Sequence, residues 1–165
     1  MEHGLPVLAV DGLTVGFPAP GGVRQVVAGI SYEVTPGRTL GVVGESGCGK
    51  SMTALAVVGL VPPPGRTGGS IQVEGREMAG APDAAWRSLR GARVAMVFQE
   101  PMTALNPVMT VGRQIAEVMV LHQRLSWRDA AHQGIKLLEE VGINSPRQRA
   151  AAYPHQLSGG CGSGQ

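Results

Sequence analysis

Over its first 43 residues the chain alternates apolar and polar positions with the period of two expected of half-buried strands. Three runs carry the pattern: Val7 to Val15, Gln25 to Val34 and Thr39 to Val43. Pro18-Ala-Pro-Gly-Gly22 interrupts the first pair and Pro36-Gly37 the second. Proline fixes φ and glycine accepts positive φ, so both breaks predict turns between short strands. The third run passes directly into GESGCGKS, residues 44–51, and the apolar segment Met52 to Leu60 follows. The order is therefore strand, glycine loop, helix.

Pro62-Pro63-Pro64-Gly65 is expected to end that helix, because prolines cannot continue its hydrogen-bond ladder. Ser70 to Glu74 predicts a strand, and Asp83 to Leu89 a short helix with Asp83 at its cap. Arg93 to Phe98 predicts a buried strand that delivers Gln99 to its C-terminal end. Beyond Pro107 the period becomes helical. Val111, Ile115, Val118 and Met119 form one apolar stripe, and Trp127, Ala131, Ile135, Leu138 and Val141 another, with Gly142 closing the second helix. The expected organisation is a strand-rich α/β core over residues 1–106 and a helical subdomain over 107–160.

Composition narrows the class. A chain of 165 residues has room for one ordinary domain, and 43% apolar residues are enough for a packed core. Fourteen Lys plus Arg against twelve Asp plus Glu give a formal charge of +2, too weak to argue for a nucleic-acid partner. Cys48 and Cys161 make no disulfide scaffold and suit a reducing compartment. The start, MEHGLPVLAV, lacks a basic region followed by an apolar stretch, and no segment offers about 18 uninterrupted apolar residues. Neither secretion nor a membrane span is expected.

The glycine loop carries the chemistry. It fits G-x-x-x-x-G-K-[ST], with Gly44, Gly49, Lys50 and Ser51 in the fixed places and Gly47 between them. Successive backbone N–H groups must curl around a β-phosphate, and glycines allow that curl without a Cβ clash. Lys50 would reach the β- and γ-phosphates, Ser51 would hold Mg²⁺, and the following helix offers its positive end. A glycine-rich turn matching by chance is the alternative, disfavoured by the strand before and the helix after. Cys48 has no histidine nearby in sequence to activate it and reads as a loop residue, although alkylation there would block a nucleotide.

Three further segments narrow a phosphate loop to a family. VFQEPMTALNP, residues 97–107, resembles the glutamine loop of ATP-binding cassette ATPases, and its Pro-Met-Thr-x-Leu-Asn-Pro extension resembles the branch serving oligopeptide, dipeptide and nickel importers. YPHQLSGG, residues 153–160, resembles the start of the signature motif with that branch's lead-in. LTVGF and VTPGRTLGVVGESG are similar to the same branch. The resemblance covers essentially the whole chain. It implies a P-loop nucleoside triphosphate hydrolase fold with N-terminal antiparallel strands and a helical subdomain. It also implies a peripheral subunit on the cytoplasmic face of a bacterial or archaeal membrane, using ATP and Mg²⁺. The implied partners are permease subunits, a second identical or different ATPase subunit and, indirectly, an extracytoplasmic substrate-binding protein.

Carried over residue by residue, the resemblance makes Gln99 a contact of Mg²⁺ and the attacking water and a sensor of the permease; the alternative is a polar residue ending a strand. Phe17 lies at the adenine-stacking position, or is simply core. Ser158, Gly159 and Gly160, after Leu157, would clamp the γ-phosphate held by the opposite subunit. His155 reads as a packing or hydrogen-bonding residue, since no second metal ligand has suitable spacing. A cassette protein acting on DNA or ribosomes is the other class, disfavoured by the absence of a basic stripe.

After LSGG the sequence reads Cys161-Gly-Ser-Gly-Gln165, an aberrant tail over 161–165 where the family continues with a sequence like MRQR. One base deleted from a Met-Arg-Gln-Arg-encoding stretch reproduces these five residues and a stop, so a frameshifted fragment is expected. The family's Walker B aspartate, catalytic glutamate and switch histidine are not in this sequence. The expectations are thus an importer ATPase by descent, or a hydrolysis-incompetent nucleotide-binding fragment, with weak solubility from uncovered strand edges.

Overall fold

β1 (Leu8–Ala19) and β2 (Gly22–Val34) form one long antiparallel hairpin in the computed structural model, which describes residues 5–99 and 104–157. The turn is only Pro20-Gly21, with Ala19 paired to Gly22 and Gly21 at φ 88°. β1 thus runs beyond the expected end at Val15. Its other neighbour, β3 (Arg66–Val73), accompanies it only as far as Gly16, so Pro18 stands where its missing N–H costs no ladder bond on that side. The two-residue strand β4 (Arg76–Glu77) completes the order β2-β1-β3-β4.

A bulge resets the alternation within β1. The register slips between Val10 and Leu13 against β2 and between Asp11 and Thr14 against β3, and Gly12 takes φ 56°. Gly12 N–H donates to Ser31 Oγ at 2.8 Å, and that hydroxyl donates to Asp11 Oδ1 at 3.0 Å. The extra residue puts Val10 and Leu13, three apart, on the same inward face with Val15. These side chains meet Val27, Ile71, Val73 and Met78, and the core is closed by Ala56 of α1 (Lys50–Val57) and Trp86 of α2 (Asp83–Leu89). Each large aliphatic chain buried here contributes roughly 1.5–3 kcal/mol.

The helix after the glycine loop ends at Val57, before the prolines expected to stop it. Gly59, at φ 65°, donates to Ala56 O at 3.0 Å, and Leu60 N–H donates to Leu55 O at 2.8 Å. This left-handed cap satisfies the last carbonyls, so the prolines come after the helix has finished. The cap packs directly under α2: a Cβ on Gly59 would lie 2.5 Å from the Trp86 ring. Arg90 then donates from Nε to Val58 O at 2.8 Å and from Nη2 to Gly59 O at 2.5 Å. Asp83 is not the cap of α2. Pro82 holds that place, and Asp83 accepts from Arg87 Nε at 2.6 Å and Arg90 Nη1 at 3.0 Å. Arg87, then Arg90, hold its carboxyl below the usual carboxylate range.

Two expected strands differ. Thr39–Val43 has no ladder partner among the described residues, and Val43 is 92% exposed. Arg93–Phe98 makes one isolated bridge, Arg90 to Val94, and Val97 is 90% exposed rather than buried. An apolar run needs neighbours on both edges to become a central strand, and none of the described strands lies beside these two.

The chain divides into two compact units, Met1–Ala95 and Met96–Gln165. The expected boundary at 106/107 lies inside the second unit. There, α3 (Val111–Gln123) packs on α4 (Trp127–Glu140) through Ala116, Met119 and Ala130, followed by α5 (Pro146–Ala151) and α6 (Pro154–Leu157). In the first expected stripe Val111 and Met119 are buried and Ile115 packs against Ala116, with only Val118 exposed; the second is rotated, Trp127, Ala131 and Val141 being exposed while Ala130 and Gly134 face inward. Small residues let the helices approach, with Ile115 Cγ2 at 3.2 Å from the Cβ position of Gly134. Ser126 caps α4 by accepting from Asp129 N–H at 3.1 Å. Gly142 closes it as expected, donating to Glu139 O while Ile143 donates to Leu138 O, both at 2.9 Å.

Two predictions follow from these contacts. Arg90→Ala is expected to lower unfolding stability by about 2 kcal/mol, since two charge-assisted bonds to main-chain carbonyls are lost, with Arg90→Lys recovering only part; urea denaturation reads this directly. Glu77 accepts from Ser70 Oγ, from Ala79 N–H at 2.7 Å and from Ile71 N–H at 3.1 Å. The Ser70 bond is the main cause holding its carboxyl below the ordinary value, with burial opposing and the amides assisting. A depressed carboxyl contributes stability that is present above its unfolded pKa and lost as pH falls through the folded one. The stability gap between wild type and Glu77→Gln should therefore narrow between about pH 6 and about pH 3 in denaturation titrations.

Candidate functional site

The glycine loop owes its shape to backbone conformations that side-chain-bearing residues disfavour. Gly47 takes φ 82°, and Gly49 takes φ 100° with ψ 0°, immediately before the first residue of α1. Cys48 N–H donates to Glu45 O at 3.4 Å, tightening the turn. Gly49 O accepts from Thr53 N–H at 2.8 Å, which starts the helix. A Cβ on Gly49 would fall 2.6 Å from Val26 O of β2, so the helix begins flush against the hairpin's main chain. No other residue type fits there.

Lys50 turns back into the concavity. Its Nζ donates to Gly44 O and Glu45 O, both at 2.6 Å, and lies 3.6 Å from Cys48 Sγ. The amine is thus held on the inside of the loop by its own main chain. Ser51, in the first turn of α1, is exposed. No acidic side chain occupies that turn and Gly49 provides no side-chain cap, so the positive end of α1 is not offset by its own residues. One lysine amine, a glycine-formed curl and an uncapped helix N-terminus lie together here, the features by which backbone amides and a cation can receive an anion.

Gly44, Gly47, Gly49, Lys50 and Ser51 are brought together in this one loop. Phe17 occupies an inward position of β1, half-buried against the core and over Gly65, whose Cβ position is 2.7 Å from Phe17 Cε1. An open cleft of about 450 Å³ is lined by Thr14, Gly16 and Pro18, alternate positions of β1, together with Arg66 of β3, and so lies on the face away from Phe17. Gln99 is exposed in the second unit. Ser158, Gly159 and Gly160 lie outside the described residues. Leu157 ends α6, where the Tyr153 and His155 rings stack 5.8 Å apart and Gln156 Oε1 accepts from Tyr153 N–H at 2.8 Å.

Ser51 offers a neutral hydroxyl oxygen in the first turn of α1, a donor type that suits Mg²⁺ carried with phosphates. Among the described residues no group of three or more His, Cys, Asp or Glu could hold a metal. Gln114 had no signal in the apolar pattern, yet its side chain makes three hydrogen bonds to the backbone of Asn106 and Met109. Only its position three residues after Val111, at the start of an amphipathic helix, hinted at a local role.

A phosphate loop joining an antiparallel hairpin to a helix, with a separate helical unit downstream, defines a P-loop nucleoside triphosphate hydrolase fold of the cassette type. The family model described as ABC transporter matches residues 27–162, and the chain belongs to that family. It is 47% identical over 156 residues to the oligopeptide transport ATP-binding protein OppD of Mycobacterium tuberculosis, covering 94% of this chain and 26% of that protein. It is 43% identical to the dipeptide transport ATP-binding protein DppD of Bacillus subtilis, covering 93% of this chain and 47% of that one. The chain thus spans between about a quarter and a half of these relatives. Its fold is similar to that of an ATP-binding cassette solved as a dimer in a post-hydrolysis state with ADP and Pi, with TM-score 0.78 at 19% identity over 93% of this chain and 64% of that one. Among the described residues no helix is long and apolar enough to cross a membrane.

The two loop glycines should differ when substituted. Gly47→Ala meets nothing within 4 Å and is expected to cost only its backbone strain, about 1 kcal/mol. Gly49→Ala adds a clash with Val26 O and is expected to cost about 3 kcal/mol. Paired thermal or urea unfolding of the two variants measures the difference; equal costs would contradict the close contact with β2.

Proposed function

We propose that this chain is the ATP-binding part of a subunit that powers a peptide or nickel importer. The carrying observation is the phosphate loop, where Lys50 is held inside a glycine curl at the uncapped start of α1. The names of the relatives, which concern oligopeptide and dipeptide transport, support the cargo class. In this reading Gly44, Gly47 and Gly49 expose the amides that receive the β-phosphate, and Lys50 exchanges its two carbonyl partners for phosphate oxygens. Ser51 and Gln99 provide oxygens for Mg²⁺, and Phe17 offers a ring edge or face for adenine. Ser158, Gly159 and Gly160 serve the γ-phosphate of a nucleotide on a second ATPase subunit.

Mg²⁺, when bound, screens phosphate charge and orients the γ-phosphoryl group for in-line transfer. The protein's own contribution from this chain is electrostatic: a fixed cation and backbone dipoles aimed where charge gathers. Coupling would run through permease subunits, with the chain peripheral at the cytoplasmic face and a substrate-binding protein acting indirectly. A nucleotide-binding chain without turnover is the second reading, separated from the first by phosphate release.

Equilibrium dialysis with Mg-ATP tests the loop directly. The wild-type chain should bind, and Lys50→Ala should weaken binding by at least about tenfold, the worth of one or two charge-assisted hydrogen bonds. Unchanged affinity in the variant would overturn the assignment of the loop.

A further inference from the structure

All three nitrogens of the Arg90 guanidinium are engaged between α1 and α2. Nε donates to Val58 O at 2.8 Å, Nη2 to Gly59 O at 2.5 Å and Nη1 to Asp83 Oδ1 at 3.0 Å. Arg90 itself terminates α2, its N–H donating to Trp86 O at 2.9 Å. The two carbonyls that it holds lie 32 and 31 positions back along the chain, so the tie joins the ends of two helices that are remote in sequence.

This tie fixes the orientation of α1. The helix begins flush against Val26 O at a glycine, and the two residues of α1 that are fully buried, Thr53 and Ala56, are small. Contacts of this kind are close but not directional, and they let a short cylinder turn about its own axis. Hydrogen bonds from a planar guanidinium to two successive carbonyls are directional and oppose such a turn. Lys50 and Ser51 open the helix on neighbouring positions, about 100° apart around the axis. A turn of about 20° would carry an amine about 6 Å from the axis through about 2 Å, enough to break a hydrogen bond.

We infer that Arg90 is a positioning residue for the phosphate loop: by fixing the C-terminal end of α1 it sets the angle at which Lys50 and Ser51 meet phosphate. The inference rests on the nucleotide reading above and adds to it a residue outside the loop motif. Arg90 touches no ligand and acts entirely through α1. Its loss therefore costs less Mg-ATP affinity once Lys50 is gone.

The test is equilibrium dialysis of the full chain with Mg-ATP, at a temperature where circular dichroism shows each variant folded. The variants are Lys50→Ala, Arg90→Ala, Arg90→Met, Arg90→Lys, Glu77→Ala and the double variant of Lys50→Ala with Arg90→Ala. Arg90→Ala is expected to bind about fivefold more weakly than wild type, and the double variant to lose less than the product of the two single losses. Arg90→Met keeps an aliphatic stem beside Trp86 and removes only the donors. It should match Arg90→Ala, and it carries the test where the alanine variant does not fold. Arg90→Lys returns a donor to the helix end and should recover part of the affinity along with part of the stability. Glu77→Ala removes bonds to β3 and Ala79, and so destabilises the chain without loosening the tie on α1; its affinity should equal that of wild type. Wild-type affinity in Arg90→Ala or Arg90→Met, multiplied losses in the double variant, stability regained without affinity in Arg90→Lys, or an equal loss in Glu77→Ala would each overturn the proposal while leaving the phosphate-loop reading intact. If wild type does not bind, or Lys50→Ala binds as wild type does, that reading fails and this proposal with it.

Discussion

At Gly49 the start of α1 meets the main chain of β2 with no room for a β-carbon, Val26 O lying 2.6 Å from where one would be. Nearly everything on this side of the molecule depends on that approach. It sets the distance at which Thr53 and Ala56 reach the hairpin, and both are buried. The same residue has the left-handed backbone at the end of the loop that curls around Lys50. Core packing and loop shape therefore meet in the same residue: the glycine that lets the core close also carries the left-handed backbone at the end of the loop.

The other end of α1 repeats the device. Gly59 reverses the chain in a left-handed cap and lies so close to Trp86 that its missing side chain is again what permits the contact. Arg90 finishes the job by donating to two carbonyls at the helix end, with its guanidinium 5.8 Å from the Trp86 ring centre. α1 has only eight residues, too few to be stable alone, so its position comes from these two ends and from Ala56 in the core.

Much of this was legible in the sequence because its signals were local. The glycine loop, the helix over Asp83–Leu89 and the cap at Gly142 all rest on residue types whose backbone preferences act within a few positions. What escaped was set by contacts between elements. The bulge at Asp11–Gly12 changes which β1 residues face inward, and it depends on Ser31 nineteen positions away from Gly12. The α4 stripe is rotated because Ala130 and Gly134 pack closely, whereas a pattern of large apolar residues points to Trp127 and Val141. The candidate site's loop is local and readable, whereas in the second unit the Gln114 clasp joins residues eight positions apart through an amide that carries no hydrophobic signal.

The uneven support of the phosphate loop has a further consequence. On its N-terminal side the loop continues from Thr39–Val43, an extended segment without a ladder partner among the described residues and with Val43 almost fully exposed. On its C-terminal side it is seated by Gly49, Thr53 and the core contacts of α1. A loop fixed at one end keeps the geometry of the residues nearest that end. Gly49, Lys50 and Ser51 are thus held by the folded core, and Gly44 is held chiefly through the Lys50 amine that bonds its carbonyl. An incoming phosphate that draws Lys50 away from Gly44 O and Glu45 O would replace those two bonds with its own oxygens. In the absence of any such exchange the lysine organises the first half of the loop, while the core organises the second.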